Sequence, residues 1–129
     1  MIESVQEPRA KQTLSYGMVG GGSGSFIGDV HRKAIAFDRS AVLKAGCFSR
    51  DSHITAETGH ALELPAERLY SDPQEMAKGE SARAEGIDFV VICTPNSTHF
   101  SIAKAFLHHG ISVVCEKPLT FEVQEAEQL

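Results

Sequence analysis

Three short segments hold the residue types that could do chemistry. Gly20-Gly21-Gly22-Ser23-Gly24-Ser25-Phe26-Ile27-Gly28 crowds glycines ahead of a stretch with helical spacing. Glycines there allow a tight turn and a backbone bare enough for a pyrophosphate to approach a helix N-terminus, where unpaired N–H groups and a positive dipole await it. The usual Gly-x-Gly-x-x-Gly spacing fits only with three inserted residues, so that Gly20, Gly22 and Gly28 take the three roles. Ser23, Phe26 and Ile27 then fall at the phosphate-facing turn. No Gly-Lys-Ser/Thr closes the run, which excludes the phosphate loop of nucleoside triphosphatases. The other two segments are Thr94-Pro95-Asn96-Ser97-Thr98-His99 and Cys115-Glu116-Lys117-Pro118-Leu119-Thr120. A polar strand-to-helix turn needs no function to explain it, and Asn96 could serve only as a helix cap.

The elements around these segments decide where they sit. Tyr16–Gly20 reads as a strand ending in glycines, and Ile27, Val30, Ala34 and Phe37 recur at helical steps after it. Val42–Phe48 reads as a second strand, followed by a helix capped by Asp51. A short third strand is expected around Arg68-Leu69-Tyr70, then a helix opening at Asp72-Pro73. Phe89–Cys93 is a continuous apolar run, as in a strand covered on both faces. A helix carrying Phe100, Ala103, Phe106 and Leu107 stops at Gly110. Ile111–Cys115 is a fifth strand, and Thr120 is the expected cap of a last helix. Strands alternating with helices predict an α/β fold with a doubly wound parallel sheet. Residues 1–14 are polar and aperiodic and read as a loose leader; residues 15–129 form the domain.

Ligands of such sheets bind beyond the strand carboxyl ends, where strand order reverses. All three segments lie at strand ends. At the end of the second strand stands Ser49-Arg50, where an acid would read the ribose of NAD and an Arg the 2′-phosphate of NADP. This pair favours NADP over NAD, although an Arg at a strand end can equally be a solvated surface residue.

Composition narrows the classes further. The 129 residues carry 17 Asp and Glu against 12 Lys and Arg, a net charge of −5. A net-acidic chain with no basic run lacks the footprint of a nucleic-acid binder. No apolar run approaches the roughly 20 residues that span a bilayer. The three cysteines, Cys47, Cys93 and Cys115, are widely spaced and form no Cys-x-x-Cys pair. They suit a reducing, cytoplasmic setting better than a disulfide scaffold. His31, His53 and His60 show no metal-ligand spacing with each other or with the cysteines.

Together, the glycine turn, Thr-Pro-Asn-x-x-His and Glu-Lys-Pro resemble the cofactor domain of the glucose–fructose oxidoreductase, inositol dehydrogenase and rhizopine-catabolism (Gfo/Idh/MocA) family of NAD(P)-dependent oxidoreductases. The likeness runs over about residues 15–129. It implies a Rossmann-type dinucleotide-binding domain, with Thr94, Pro95, Asn96 and His99 lining the nicotinamide half of the cleft. Glu116 would contact the nicotinamide ribose or ring, and Lys117 would bind there too and assist proton transfer. The implied substrate is a sugar, polyol or related hydroxy/oxo compound, read by a C-terminal domain that this chain does not include. The chain alone is therefore expected to be inactive. The family pattern also has a sixth strand; without it Ile111–Cys115 is an open edge, and self-association is expected. A non-catalytic dinucleotide-binding module or sensor subunit is the alternative. A methyltransferase of the same fold class would explain the glycines but not the other two segments.

Overall fold

The computed structural model describes residues 13–129. Most of the expected leader therefore lies outside the described residues. Strands β1 (Leu14–Gly20), β2 (Ala41–Cys47), β3 (Phe89–Cys93) and β4 (Ser112–Cys115) form a parallel sheet in the order β2-β1-β3-β4. The helices are α1 (Phe26–Ala36), α2 (Ser52–Ala61), α3 (Pro73–Ala82), α4 (His99–His108) and α5 (Val123–Gln128). Strand order reverses between β1 and β3, so the mouth of the sheet opens above their carboxyl ends.

Alternation along the strands builds a core on each face. Tyr16, Met18 and Val91 point to one side, where Phe48, Ile35 and Leu62 join them. Val19, Val90 and Ile92 point to the other, against Met76, Ala103 and Phe106 of α3 and α4. Both faces of β3 are thus buried, which is why it reads as an unbroken apolar run. Helix starts follow their expected caps: Asp51 accepts from the His53 amide at 2.9 Å, and Asp72 from the Gln74 amide at 2.9 Å. Gly110 ends α4 with a φ of 74°.

Three expectations are corrected. The third strand shrinks to one parallel bridge, Gly46 with Leu69, preceded by a 3₁₀ turn at Ala66–Arg68. Arg68 is buried in an ion pair with Glu80 instead of alternating along a strand. The last helix is capped not by Thr120 but by Glu122, whose side chain and that of Glu125 form a reciprocal capping box. On α1, the apolar series Val30, Ala34 and Phe37 is exposed, while Gly28 is buried and His31, Arg32 and Ile35 are half-buried. The helix is turned so that Gly28 lies against the glycine turn.

Candidate functional site

The glycine turn is shaped by two contacts that only glycine permits. Gly20 has a φ of 82°, and a Cβ there would stand 2.7 Å from the Cys93 carbonyl oxygen. A Cβ on Gly28 would fall 2.4 Å from the Cα of Gly21, so the helix start and the turn pack backbone to backbone. Ser25 caps α1, its hydroxyl accepting from the Gly28 amide at 3.4 Å. Phe26 and Ile27 are the first residues of α1, and their N–H groups have no acceptor within the helix. These amides fit an anion. The Gly22 amide donates to the Phe48 carbonyl at 3.1 Å. The Ser23 amide is also committed, to Thr58 Oγ1 at 3.0 Å, which leaves the exposed Ser23 hydroxyl for any ligand.

Gly20, Ser49, Arg50, Thr94 and Pro95 line one cleft of about 590 Å³ above the strand ends. Ser49 lies in the turn before α2: its hydroxyl accepts from the Asp51 amide at 3.1 Å, and its own amide donates to Thr55 Oγ1 at 3.0 Å. Arg50 is exposed and has no partner among the described residues. Opposite lie Ser71, Asp72, Pro73 and Gln74, which sequence reasoning treated only as a helix start. Their signal was available, since the segment after a third strand also opens at the mouth of such a sheet. Cys47 and Cys93 line the floor, and burial pushes both thiols up to about 11.

Thr94 and Pro95 leave β3 along the cleft wall. Thr98 Oγ1 lies 2.6 Å from Thr94 Oγ1 and donates to the Pro95 carbonyl at 2.7 Å, tightening the turn. Asn96 is exposed at its tip. His99 is placed differently from the expectation that it lines the cleft. It is fully buried beneath it, with Nδ1 2.8 Å from the Pro118 carbonyl oxygen and Nε2 2.9 Å from that of Thr94. It joins the two turns and presents no surface.

Glu116 and Lys117 follow β4, and the Lys117–Pro118 bond is cis. The Glu116 amide donates to the Ile92 carbonyl at 2.9 Å, extending the β3–β4 ladder into the turn. Its carboxylate is held below the usual range, first by the hydrogen bond from His31 on α1 and then by the Lys117 amide. The Lys117 side chain is exposed. His31 and Arg32 are the residues that sequence reasoning missed. Arg32 donates to the Gly21 carbonyl at 2.8 Å, so neighbouring residues of one helix hold both ends of the site.

The arrangement offers unpaired amides at the start of α1, an open cleft with an uncommitted guanidinium, and an acid–lysine pair at the next strand end. The family model described as "Oxidoreductase family, NAD-binding Rossmann fold" (Gfo/Idh/MocA) matches residues 14–129. The uncharacterized oxidoreductase YfiI of Bacillus subtilis is 42% identical over 117 residues, covering 90% of this chain and 30% of that protein. The scyllo-inositol 2-dehydrogenase (NADP(+)) IolU of the same organism is 38% identical over 82 residues, 64% of this chain and 23% of that one. Among solved structures, an inositol dehydrogenase homolog from Azotobacter vinelandii complexed with NADH and myo-inositol superposes with a TM-score of 0.88 at 44% identity. It covers 91% of this chain and 31% of its own. The chain thus spans about a third or less of the length of these relatives. It belongs to the Gfo/Idh/MocA oxidoreductase family and carries that family's NAD-binding Rossmann fold.

Proposed function

We propose that the chain is the cofactor-binding part of an oxidoreductase that moves hydride between a nicotinamide dinucleotide and a hydroxyl-bearing carbon of a sugar or polyol. The observation that carries this reading is the meeting, in one fold, of free α1 amides with the Glu116–Lys117 turn. Phe26 and Ile27 amides would take the pyrophosphate, and the cleft beside Thr94 and Pro95 would take the rest of the cofactor. When bound, the dinucleotide supplies the hydride chemistry. Lys117 Nζ would hold and pass the proton of the substrate hydroxyl. The inositol dehydrogenases among the relatives support a polyol substrate.

NADP is the favoured cofactor, on the strength of Ser49-Arg50. Arg50 is uncommitted at the cleft, and Ser49, not an acid, takes the ribose-reading position after β2, the nearest acid there being Asp51, which caps α2. Asp72 lines the same cleft from the start of α3, where one of its carboxylate oxygens accepts from the Gln74 amide. Free thiols at Cys47, Cys93 and Cys115 suit a reducing, cytoplasmic setting. Among the described residues no helix is long and apolar enough to cross a membrane.

Calorimetric titration of the purified chain with NADP and NAD tests the reading. Binding of both, NADP the tighter, is the expected result, with no turnover of polyols by the chain alone. Absence of any dinucleotide binding would overturn it.

A further inference from the structure

His31 and Glu116 are 85 residues apart in sequence and 2.7 Å apart in space, Nε2 to Oε1. Each side chain keeps only 24% of its exposure. An ionised carboxylate only accepts, so the ring proton sits on Nε2 and points at Oε1. The second oxygen, Oε2, accepts from the Lys117 amide at 3.2 Å. Both oxygens of Glu116 are therefore tied, one to α1 and one to its own turn. A glutamate at a strand end would otherwise sample several rotamers.

We propose that His31 is a positioning residue, fixing Glu116 and through it the Lys117 backbone against the helix that carries the phosphate-facing turn. The neighbouring residue makes the geometry coherent. Arg32 fixes the glycine turn through the Gly21 carbonyl while His31 fixes the Glu116 turn, so the second turn of α1 sets the spacing between the two halves of the site. The ionisable groups around the pair are Arg32 on α1, Cys93 on β3, Cys115 on β4 and Lys117 in the turn. Because Glu116 ionises below its usual range, the tie is complete above that range and is lost as pH falls through the lowered value.

The inference rests on the dinucleotide reading for its consequence but not for its geometry, so the test has two arms. In the first, the chain without dinucleotide is followed by NMR through the Glu116 carboxyl carbon and the Lys117 amide. His31→Leu should raise the Glu116 titration midpoint and shift the Lys117 amide; His31→Gln, which can still donate to Oε1, should restore most of both. In the second arm, NADP affinity should fall roughly 3- to 10-fold in His31→Leu and recover in His31→Gln, the scale of one partly exposed hydrogen bond to a charge. Should His31→Leu not fold, His31→Asn, too short to reach Oε1, is the replacement in both arms, with the same changes in Glu116 midpoint, Lys117 amide and affinity expected. An unmoved Glu116 midpoint and Lys117 amide would overturn the proposal. So would a dinucleotide affinity equal in wild type and His31→Leu. A wild-type chain that binds no dinucleotide overturns the cofactor reading instead, and the first arm still decides the role of His31.

Discussion

The ring of His99 joins the Pro118 carbonyl to that of Thr94, with no exposed surface of its own. These are the turns that follow β3 and β4, and the ring sits between them at the start of α4. Removing it leaves two carbonyls and a cavity under the cleft. His99→Ala should cost about 2–4 kcal/mol of stability, the sum of the buried hydrogen bond its ring N–H donates and of cavity formation. Urea unfolding would show it as a lower midpoint. A change below about 0.5 kcal/mol, the range of an ordinary surface substitution, would mean that the turns are held by other contacts.

The ion pair of Arg68 and Glu80 is a second buried polar feature. Glu80 also accepts from the Tyr70 hydroxyl at 2.7 Å and is 1% exposed. Breaking such a pair from one side strands a charge, so Glu80→Ala should cost about 3–5 kcal/mol. The double change Arg68→Met with Glu80→Leu removes both charges and should recover part of that loss, since the Tyr70 hydroxyl and Arg83 still lose their acceptor. If the double variant is no better than the single one, the pair holds the fold by geometry that apolar packing cannot replace.

These two features also show what the sequence could and could not disclose. The strand ends, the caps at Asp51 and Asp72, and the run Phe89–Cys93 are local patterns, and each was legible. The third strand was not, because Arg68-Leu69-Tyr70 looks like alternation until Glu80 draws Arg68 inward and a single bridge, Leu69 with Gly46, is all that pairs. Helix α1 misled for a related reason. Its apolar series argued for burying Val30 and Phe37, but Gly28 must touch Gly21, and that contact turns His31 and Arg32 inward instead. Nothing local marks His31 as the partner of a glutamate 85 residues away. The cleft was legible as a place; the ties that hold its walls were not.

The thiols make a pH prediction. Burial raises Cys47 and Cys93 from the usual value of 9.0 to about 11. Both folded groups keep their protons after the unfolded chain has begun to lose its own. Their contribution to stability is therefore whole below pH 9 and declines as pH rises toward 11. At pH 8 the thiolate fraction of each should be roughly 100-fold lower than in the unfolded chain, since each pKa unit is tenfold. Alkylation by iodoacetamide, followed by mass spectrometry, should be correspondingly slow at Cys47 and Cys93. Equal rates in folded and urea-unfolded protein would show that the floor of the cleft opens freely.

Strand β4 is an edge of the sheet, paired only with β3 among the described residues. Val114 is 45% exposed there, and the free edge offers unpaired N–H and C=O groups to another chain. The 129-residue chain is expected to self-associate through it. Val114→Lys should shift sedimentation toward monomer without altering the fold. A wild-type chain that is monomeric at high concentration, with Ser112–Cys115 amides protected from exchange, would refute this.

The proposed preference for NADP turns on Arg50. The guanidinium stands free at the cleft beside Ser49, whose hydroxyl accepts from the Asp51 amide at 3.1 Å and still has its own proton to donate. A guanidinium can present paired N–H donors to a phosphate and lay its flat face on an adenine ring. A hydrogen bond to a charged group contributes roughly 1.5–3 kcal/mol, or about 10- to 150-fold in affinity. Solvent and salt reach this exposed position, so the lower half of that range applies. Arg50→Ala should weaken NADP about 10-fold, leave NAD nearly unchanged, and flatten the dependence of NADP binding on salt. Arg50→Lys keeps the charge but loses the paired donors, and should fall between the two. If the wild-type chain binds NAD as tightly as NADP at low salt, Arg50 is solvated in the complex, and the end of β2 does not read the 2′-phosphate.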